Sequence, residues 1–348
     1  TVSLHQFDIG DALAMIPFTP DMSGILDGDF HLVQTPEELT LSSTVDVDNL
    51  IYEDCPMGDV GAEFTYLPKA DGSHYVDGFL TREGEEIASL SGSYKSEGPG
   101  YLDAALGLER LPLDMANGFI PDHIIGLRGY AEGNLTVKGA LSQPDINGEV
   151  ILDSAYIYSE PYGVEMRCAD DPLAVTGSHL VFENYDLFAN NGSPLTIQGS
   201  LDFSNTSDMN LDLRMRADNY LLIDARETAR SEAYGKAYVN FYGMMRGALD
   251  NLSMRGKLDV LGTTDLKYNL KDSPLSTDNQ LEGLVEFANL NDTTADAISR
   301  PPLTGFNMDL SVSIDDGAHV DCYLNADHSN YVDIIGGGDL RLQYNPVD

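Results

Sequence analysis

Apolar and polar residues alternate along most of this chain. Leu211, Leu213 and Met215 alternate with Asp212, Arg214 and Arg216. Met254, Leu258 and Val260 alternate with Arg255, Lys257 and Asp259. Leu266, Tyr268 and Leu270 alternate with Lys267, Asn269 and Lys271, and Leu310, Val312 and Ile314 with Ser311, Ser313 and Asp315. Leu340, Leu342 and Tyr344 alternate with Asp339, Arg341 and Gln343. Shorter runs are Leu135/Val137, Leu195/Ile197, Leu201/Phe203 and Val239/Phe241. Successive side chains of a strand point to opposite faces, so each run is a strand with one apolar and one wet face. Such strands belong to antiparallel sheets, because parallel sheets are buried on both faces.

Helical signal is weak by comparison. Residues Leu113 to Phe119 predict one or two helical turns. The stretch from Leu222 to Ala233 reads as a short helix or an ordered loop, and Asn289 to Pro302 as a long loop. The 33 Gly and 16 Pro favour many short strands and turns. The strands grow more regular after about residue 126, which predicts two regions: 1–125 with less regular β-repeats, and 126–348.

One-sided strands need a cover. Roughly 25 large apolar side chains on one side amount to on the order of 2,500 Å², against about 300–600 Å² for the largest apolar patch of a typical monomer. The cover is a second sheet, the same sheet curled on itself, or a ligand. Weak repeats bear on the choice. Leu135-Thr-Val-Lys-Gly-Ala-Leu resembles Leu195-Thr-Ile-Gln-Gly-Ser-Leu, and Gly139-Ala-Leu with Gly148 resembles Gly247-Ala-Leu with Gly256. Glycine inside a strand marks a bend, a bulge or a close approach, and bends repeated along a sheet curl it.

Charge removes several functions. With 57 acids against 19 bases the net charge is −38. Nucleic-acid binding and docking on an anionic membrane surface both draw on Lys and Arg, so both are excluded. The cysteines Cys55, Cys168 and Cys322 stand far apart with no CxxC, which is neither a disulfide framework nor a zinc motif; their pairing stays open. The chain opens on Thr1 without a signal-like segment, and its early apolar stretch, Ala12 to Phe18, is too short to cross a bilayer. It reads as an excised soluble piece of a larger protein.

No constellation of residues points to catalysis. The seven histidines form no HExxH. His319 and His328 lie near Asp321 and Asp327, which invites a metal reading, but the pattern reads as a solvated loop, and no metal site is expected. Ser178 in Gly177-Ser-His lacks the second glycine of a nucleophile elbow. Gly336-Gly-Gly-Asp leads into a strand and not a helix, so it is not a phosphate cradle. Asp46-Val-Asp48 begins like a calcium loop but lacks the Gly and Glu such a loop needs. With Glu53-Asp54 and Asp170-Asp171, it reads as a solvated acidic face. Absent Trp argues against a carbohydrate site.

The stretch Gly133-Asn-Leu-Thr-Val-Lys-Gly-Ala-Leu-Ser-Gln-Pro-Asp-Ile-Asn-Gly-Glu-Val-Ile-Leu152 resembles the C-terminal conserved domain of TamB, of the AsmA-like, repeating β-groove group. Arg216-Ala-Asp-Asn-Tyr-Leu-Leu-Ile is similar to that family's A-x-N strand. Tyr234-Gly-Lys-Ala-Tyr, Gly247-Ala-Leu-Asp-Asn-Leu-Ser-Met-Arg-Gly256, Gly336-Gly-Gly-Asp-Leu-Arg-Leu-Gln-Tyr344 and Leu106-Gly-Leu-Glu-Arg-Leu-Pro-Leu113 also resemble its units. The likeness spans about residues 101–348.

What the resemblance implies is an all-β fold: an elongated, curled antiparallel-type sheet forming an open, taco-like groove with an apolar interior and few short helices. It implies a periplasmic part of an inner-membrane-anchored bacterial envelope protein. The implied function is phospholipid binding and transfer between inner and outer membranes, linked to outer-membrane biogenesis, without catalysis or cofactor. The alternative is a scaffold for outer-membrane protein assembly, as in a translocation and assembly module, acting by strand addition. Expected partners are phospholipid acyl chains and a TamA- or BamA-like barrel met by the full-length protein. The family's membrane helix and terminal strands fall outside this sequence. The expected groove lining is Leu135, Val137, Leu195, Ile197, Leu201, Phe203, Leu211, Leu213, Met215, Val239, Phe241, Leu258, Val260, Leu266, Leu270, Leu310, Val312 and Ile314.

Overall fold

The structure is a computed structural model of the chain. It describes residues 1–13, 20–34, 39–69, 71–96, 100–120, 125–140, 143–159, 163–205, 208–227, 233–249, 251–269, 306–323 and 328–344. The long loop expected from Asn289 to Pro302 lies outside them, as do His123, Leu270 and Asp327.

The fold is all-β, one long, mostly antiparallel sheet of 21 strands. The first eight are β1 (Val2–Asp8), β2 (Met22–Gln34), β3 (Leu39–Tyr52), β4 (Cys55–Pro68), β5 (Ser73–Arg82), β6 (Glu85–Lys95), β7 (Tyr101–Pro112) and β8 (Gly126–Ala140). Then come β9 (Gln143–Ser159), β10 (Val164–Cys168), β11 (Leu173–Thr176), β12 (His179–Phe188), β13 (Pro194–Asp202), β14 (Asn210–Ala225) and β15 (Ala233–Ala248). The last are β16 (Leu252–Val260), β17 (Asp265–Asn269), β18 (Phe306–Ile314), β19 (His319–Tyr323), β20 (Tyr331–Ile335) and β21 (Gly338–Tyr344). One short helix, Ile9–Leu13, follows β1, and a 3-10 helix, Leu113–Phe119, follows β7 where helical turns were expected. The helix-or-loop reading of Leu222 to Ala233 is corrected at its ends, where residues 222–225 finish β14 and Ala233 opens β15; residues 228–232 lie outside the described residues. Both ends of that stretch are partly or fully buried apolar residues whose extended backbone is set by pairing, which overrides the helix propensity of Ala, Arg and Glu.

The chain divides into two compact units: Thr1–Tyr156 with Cys168–Glu183 and Gly199–Asn210, and Ile157–Arg167 with Asn184–Gln198 and Leu211–Asp348. In the first unit, β1 to β8 run up and down, each pairing antiparallel with the next. Two-residue turns close three of its hairpins. Glu53-Asp54, Glu83-Gly84 and Gly177-Ser178 all have positive φ at both residues, the geometry whose twist matches that of the strands. Ser178, the residue tested above as a nucleophile, instead ties this unit together: its hydroxyl donates to Pro144 O and accepts from Ile146 N.

In the second unit, β15 pairs antiparallel with β16 over Val239–Arg246 and with β17 over Ala233–Lys236. The antiparallel expectation fails at two places. β16 pairs parallel with β18, and β17 parallel with β19. Residues 252–269 and 306–323 thus lie side by side in one direction at a constant offset. The bends between their strands also stack: Thr264 N donates to Leu261 O, and Ala318 N to Asp315 O. Antiparallel partners β21 and β20 follow on β18 and β19. The core of this unit gathers Ala189, Ala217, Tyr220, Leu221 and Val239, packed against Met166, Leu195, Phe241 and Leu258.

Candidate functional site: apolar tracks across the strands

Register turns single apolar positions into rows. In the first unit, Val2, Phe30, Ser43, Phe64, Gly78, Leu90, Leu106 and Leu135 are cross-strand partners in succession from β1 to β8. A second row is Leu4, Gly28, Val45, Ala62, Leu80, Ala88, Leu108 and Gly133. A third starts on β2: Leu32, Leu41, Tyr66, Val76, Gly92, Ala104 and Val137. Residues two apart on a strand share a face, so all three rows lie on one face. The other face reads Thr65, Asp77, Ser91, Ala105 and Thr136 across β4 to β8, with Lys138 3.5 Å from Asp103. At about 4.8 Å between strands, eight strands give a track of about 34 Å. One leaflet's hydrocarbon is about 15 Å deep, half of a bilayer core.

Parts of these tracks are exposed, although Ser43 and Ala104 within them are buried. Phe64 on β4 and Leu90 on β6 remain 37% and 41% exposed although they sit on inner strands of the row. A face closed under a second packed layer would bury them. Where glycine or alanine replaces a large side chain, the row is notched.

The second unit repeats the device. Val239, Val260 and Ile314 form one row, Phe241, Leu258, Val312 and Leu340 the next, and Gly243, Gly256, Leu310 and Leu342 the third. Here the inner residues are buried: Val239, Leu310 and Val312 are all below a tenth exposed, whereas Leu340 and Leu342 at the end of each row are exposed. On β14, Leu213, Met215 and Ala217 are buried between exposed Asp212, Arg214, Arg216 and Asp218.

Seventeen of the eighteen residues expected to line the apolar face lie among the described residues, Leu270 being outside them. Ile197, Leu213, Met215, Val239, Leu310 and Val312 are buried. Leu135, Val137, Leu195, Leu201, Phe203, Leu211, Phe241, Leu258, Val260, Leu266 and Ile314 are half-buried. The rows bring Leu135 and Val137 together in the first unit, and Val239, Phe241, Leu258, Val260, Leu310, Val312 and Ile314 in the second. Sequence reading missed the open rows of β1 to β7. Glycine and alanine take four of the eight places in the second row and interrupt the other two, which dilutes the alternation, and Phe79 and Val76 put apolar side chains on both faces of one strand.

Asp46 and Asp48 lie inside β3, and Gly336 and Gly337 join β20 to β21. All three cysteines are free thiols; burial, then the Asp114 charge, raises the Cys55 pKa, and burial, then the Asp321 charge, raises that of Cys322. The solvated-loop reading at His319 is corrected: His319 and Asp321 belong to β19, and Asp321 is mostly buried because β17 and β20 flank it. Among the described residues no helix is long and apolar enough to cross a membrane.

No curated protein and no solved structure matches the chain. A family model does, and it covers β13 to β21 and the second half of β12, so the upstream likenesses at Leu106–Leu113 and Gly133–Leu152 fall outside it. Over residues 184–348 the chain matches the TamB C-terminal domain.

Proposed function

We propose that the open apolar tracks of this protein hold phospholipid acyl chains while the headgroups stay in water, and that the protein passes lipid between the inner and outer membranes. The observation that carries this reading is the exposure of Phe64 and Leu90 in the middle of an unbroken eight-strand row. Transfer of apolar surface out of water supplies the affinity, about 0.8 kcal/mol per buried CH₂. Rows of plain aliphatics suit a carrier that must release its cargo. The protein is then the periplasmic part of an inner-membrane-anchored envelope protein, meeting a TamA- or BamA-like barrel through its full-length form.

Native mass spectrometry of the purified chain tests this. Phospholipid should copurify, and Leu90→Asp with Leu106→Asp should remove it, while Ser89→Asp and Ser91→Asp on the other face should not. A lipid-free wild type, or equal loss in both pairs, contradicts the reading. A second reading, strand addition at a sheet edge, draws support from β20, all five of whose residues are exposed. It predicts an activity that the Leu90 and Leu106 changes leave untouched.

A further inference from the structure

The cluster around His319 is built from three neighbouring strands. Register places Asp265 of β17 beside His319 of β19, and Asp321 of β19 opposite Asp333 of β20. The His319 Nε2 atom lies 2.9 Å from Asp333 Oδ1 and 3.3 Å from Asp321 Oδ1. Those three donors, one from each side chain, lie within 4.8 Å of one another. On the other side of the ring, Nδ1 stands 3.5 Å from Asp265 Oδ1.

Two features distinguish this from an ordinary surface ion pair. First, Nε2 is sealed from solvent and makes no hydrogen bond, although two carboxylate oxygens stand within reach. Second, Asp265 stands on the far-nitrogen side of the ring, the side from which a carboxylate can orient a ligating imidazole. Bonds of about 2.0–2.2 Å from nitrogen and oxygen to a tetrahedral divalent metal put neighbouring ligands about 3.3–3.6 Å apart; the 3.3 Å from His319 to Asp321 is of that order, and the 2.9 Å to Asp333 would widen on binding. Lys267 Nζ, 4.0 Å from Asp321 Oδ2, occupies the oxygen that faces away from His319 Nε2.

We infer that His319, Asp321 and Asp333 form a divalent transition-metal site of the zinc class, with Asp265 as its positioning carboxylate and solvent in the remaining position. Mixed imidazole and carboxylate donors suit Zn²⁺ better than Ca²⁺ or Mg²⁺, which take oxygen alone. The ion would pin β20 to β19 and β17, fixing the end of the second unit. This inference is independent of the lipid reading.

Titration of the full chain with Zn²⁺, in excess Mg²⁺ to occupy the other carboxylates, tests it. One saturable site is expected. Asp333→Asn and His319→Gln should each weaken it about tenfold or more, and Asp265→Asn should weaken it by a similar factor through the imidazole. Circular dichroism checks that each variant is folded. Co²⁺ bound in place of Zn²⁺ should broaden the His319 ring resonances, which needs no variant. The absence of a saturable site in wild type, affinity unchanged in both Asp333→Asn and His319→Gln, or Co²⁺ that leaves His319 unperturbed would overturn it.

Discussion

Asn219 sits inside a strand with φ of +49°, a left-handed backbone that L-residues other than Asn and Asp adopt at a cost. Its N–H donates to Asn240 Oδ1 on β15 at 2.7 Å. Gln6 and Asn49 repeat the arrangement, giving their N–H to Asp27 and Asp59 of the next strand where the register shifts. Each is a bulge, which bends the strand and increases its twist. Asn219→Gly should therefore be nearly neutral, while Asn219→Val should cost about 1–2 kcal/mol in urea unfolding. The Asn of the A-x-N signature was legible in sequence; its role was not, because a bulge is defined by the partner strand. Glycine carries the same limit. Gly256 stands opposite Gly243, and a methyl group there would meet Tyr242 O at 2.5 Å and Gly243 Cα at 2.8 Å. Gly256→Ala should lose about 1–3 kcal/mol through overpacking, read from the same unfolding curves. Acid sensitivity also begins with single residues. The Ser73 hydroxyl and then its N–H hold the Asp71 carboxyl below the usual carboxylate range, and Ser204 does the same for Asp202. A lowered folded-state pKa gives stability that is full above the unfolded value and lost as pH falls through the folded one. In a carboxyl NMR titration, Asp71 should protonate below the range of free aspartate, and Ser73→Ala should move it up.

Among the elements, strands were the most legible and their neighbours the least. Alternation located β14, β16, β18 and β21 because one face of each is wet, and Asp212, Arg214 and Arg216 mark that face on β14. Nothing in the alternation distinguishes an antiparallel from a parallel neighbour, so the β16–β18 and β17–β19 pairings were invisible. The 3-10 helix Leu113–Phe119 shows how a short element is held. Arg82 at the end of β5 donates two hydrogen bonds to the Asp114 carboxylate, at 2.7 and 3.1 Å. Asn117 adds two more, to Leu127 O and from Leu127 N. Asp114 is nearly half exposed, so solvent screens the ion pair, and Arg82→Met should cost about 1–2 kcal/mol. Limited proteolysis should show the cut moving into residues 113–119, since this helix opens before the strands around it.

At the scale of the molecule, two properties belong together. A net charge of −38 keeps the wet face in water and discourages pairing between copies. The apolar face is organised into rows that only register creates. Sequence supplied their ingredients, such as Leu106 and Leu135, without showing that these two are partners. Openness was the least legible property, because the same aliphatics line a closed core and a lipid path; the exposure of Phe64 and Leu90 is what supports the second reading. The most direct measurement uses neighbouring residues on opposite faces. A photo-crosslinking side chain at Leu106 should capture phospholipid in cells, and the same group at Ala105, one residue away on the wet face, should not. Equal capture at both positions, or capture at neither, would contradict a lipid path along these rows.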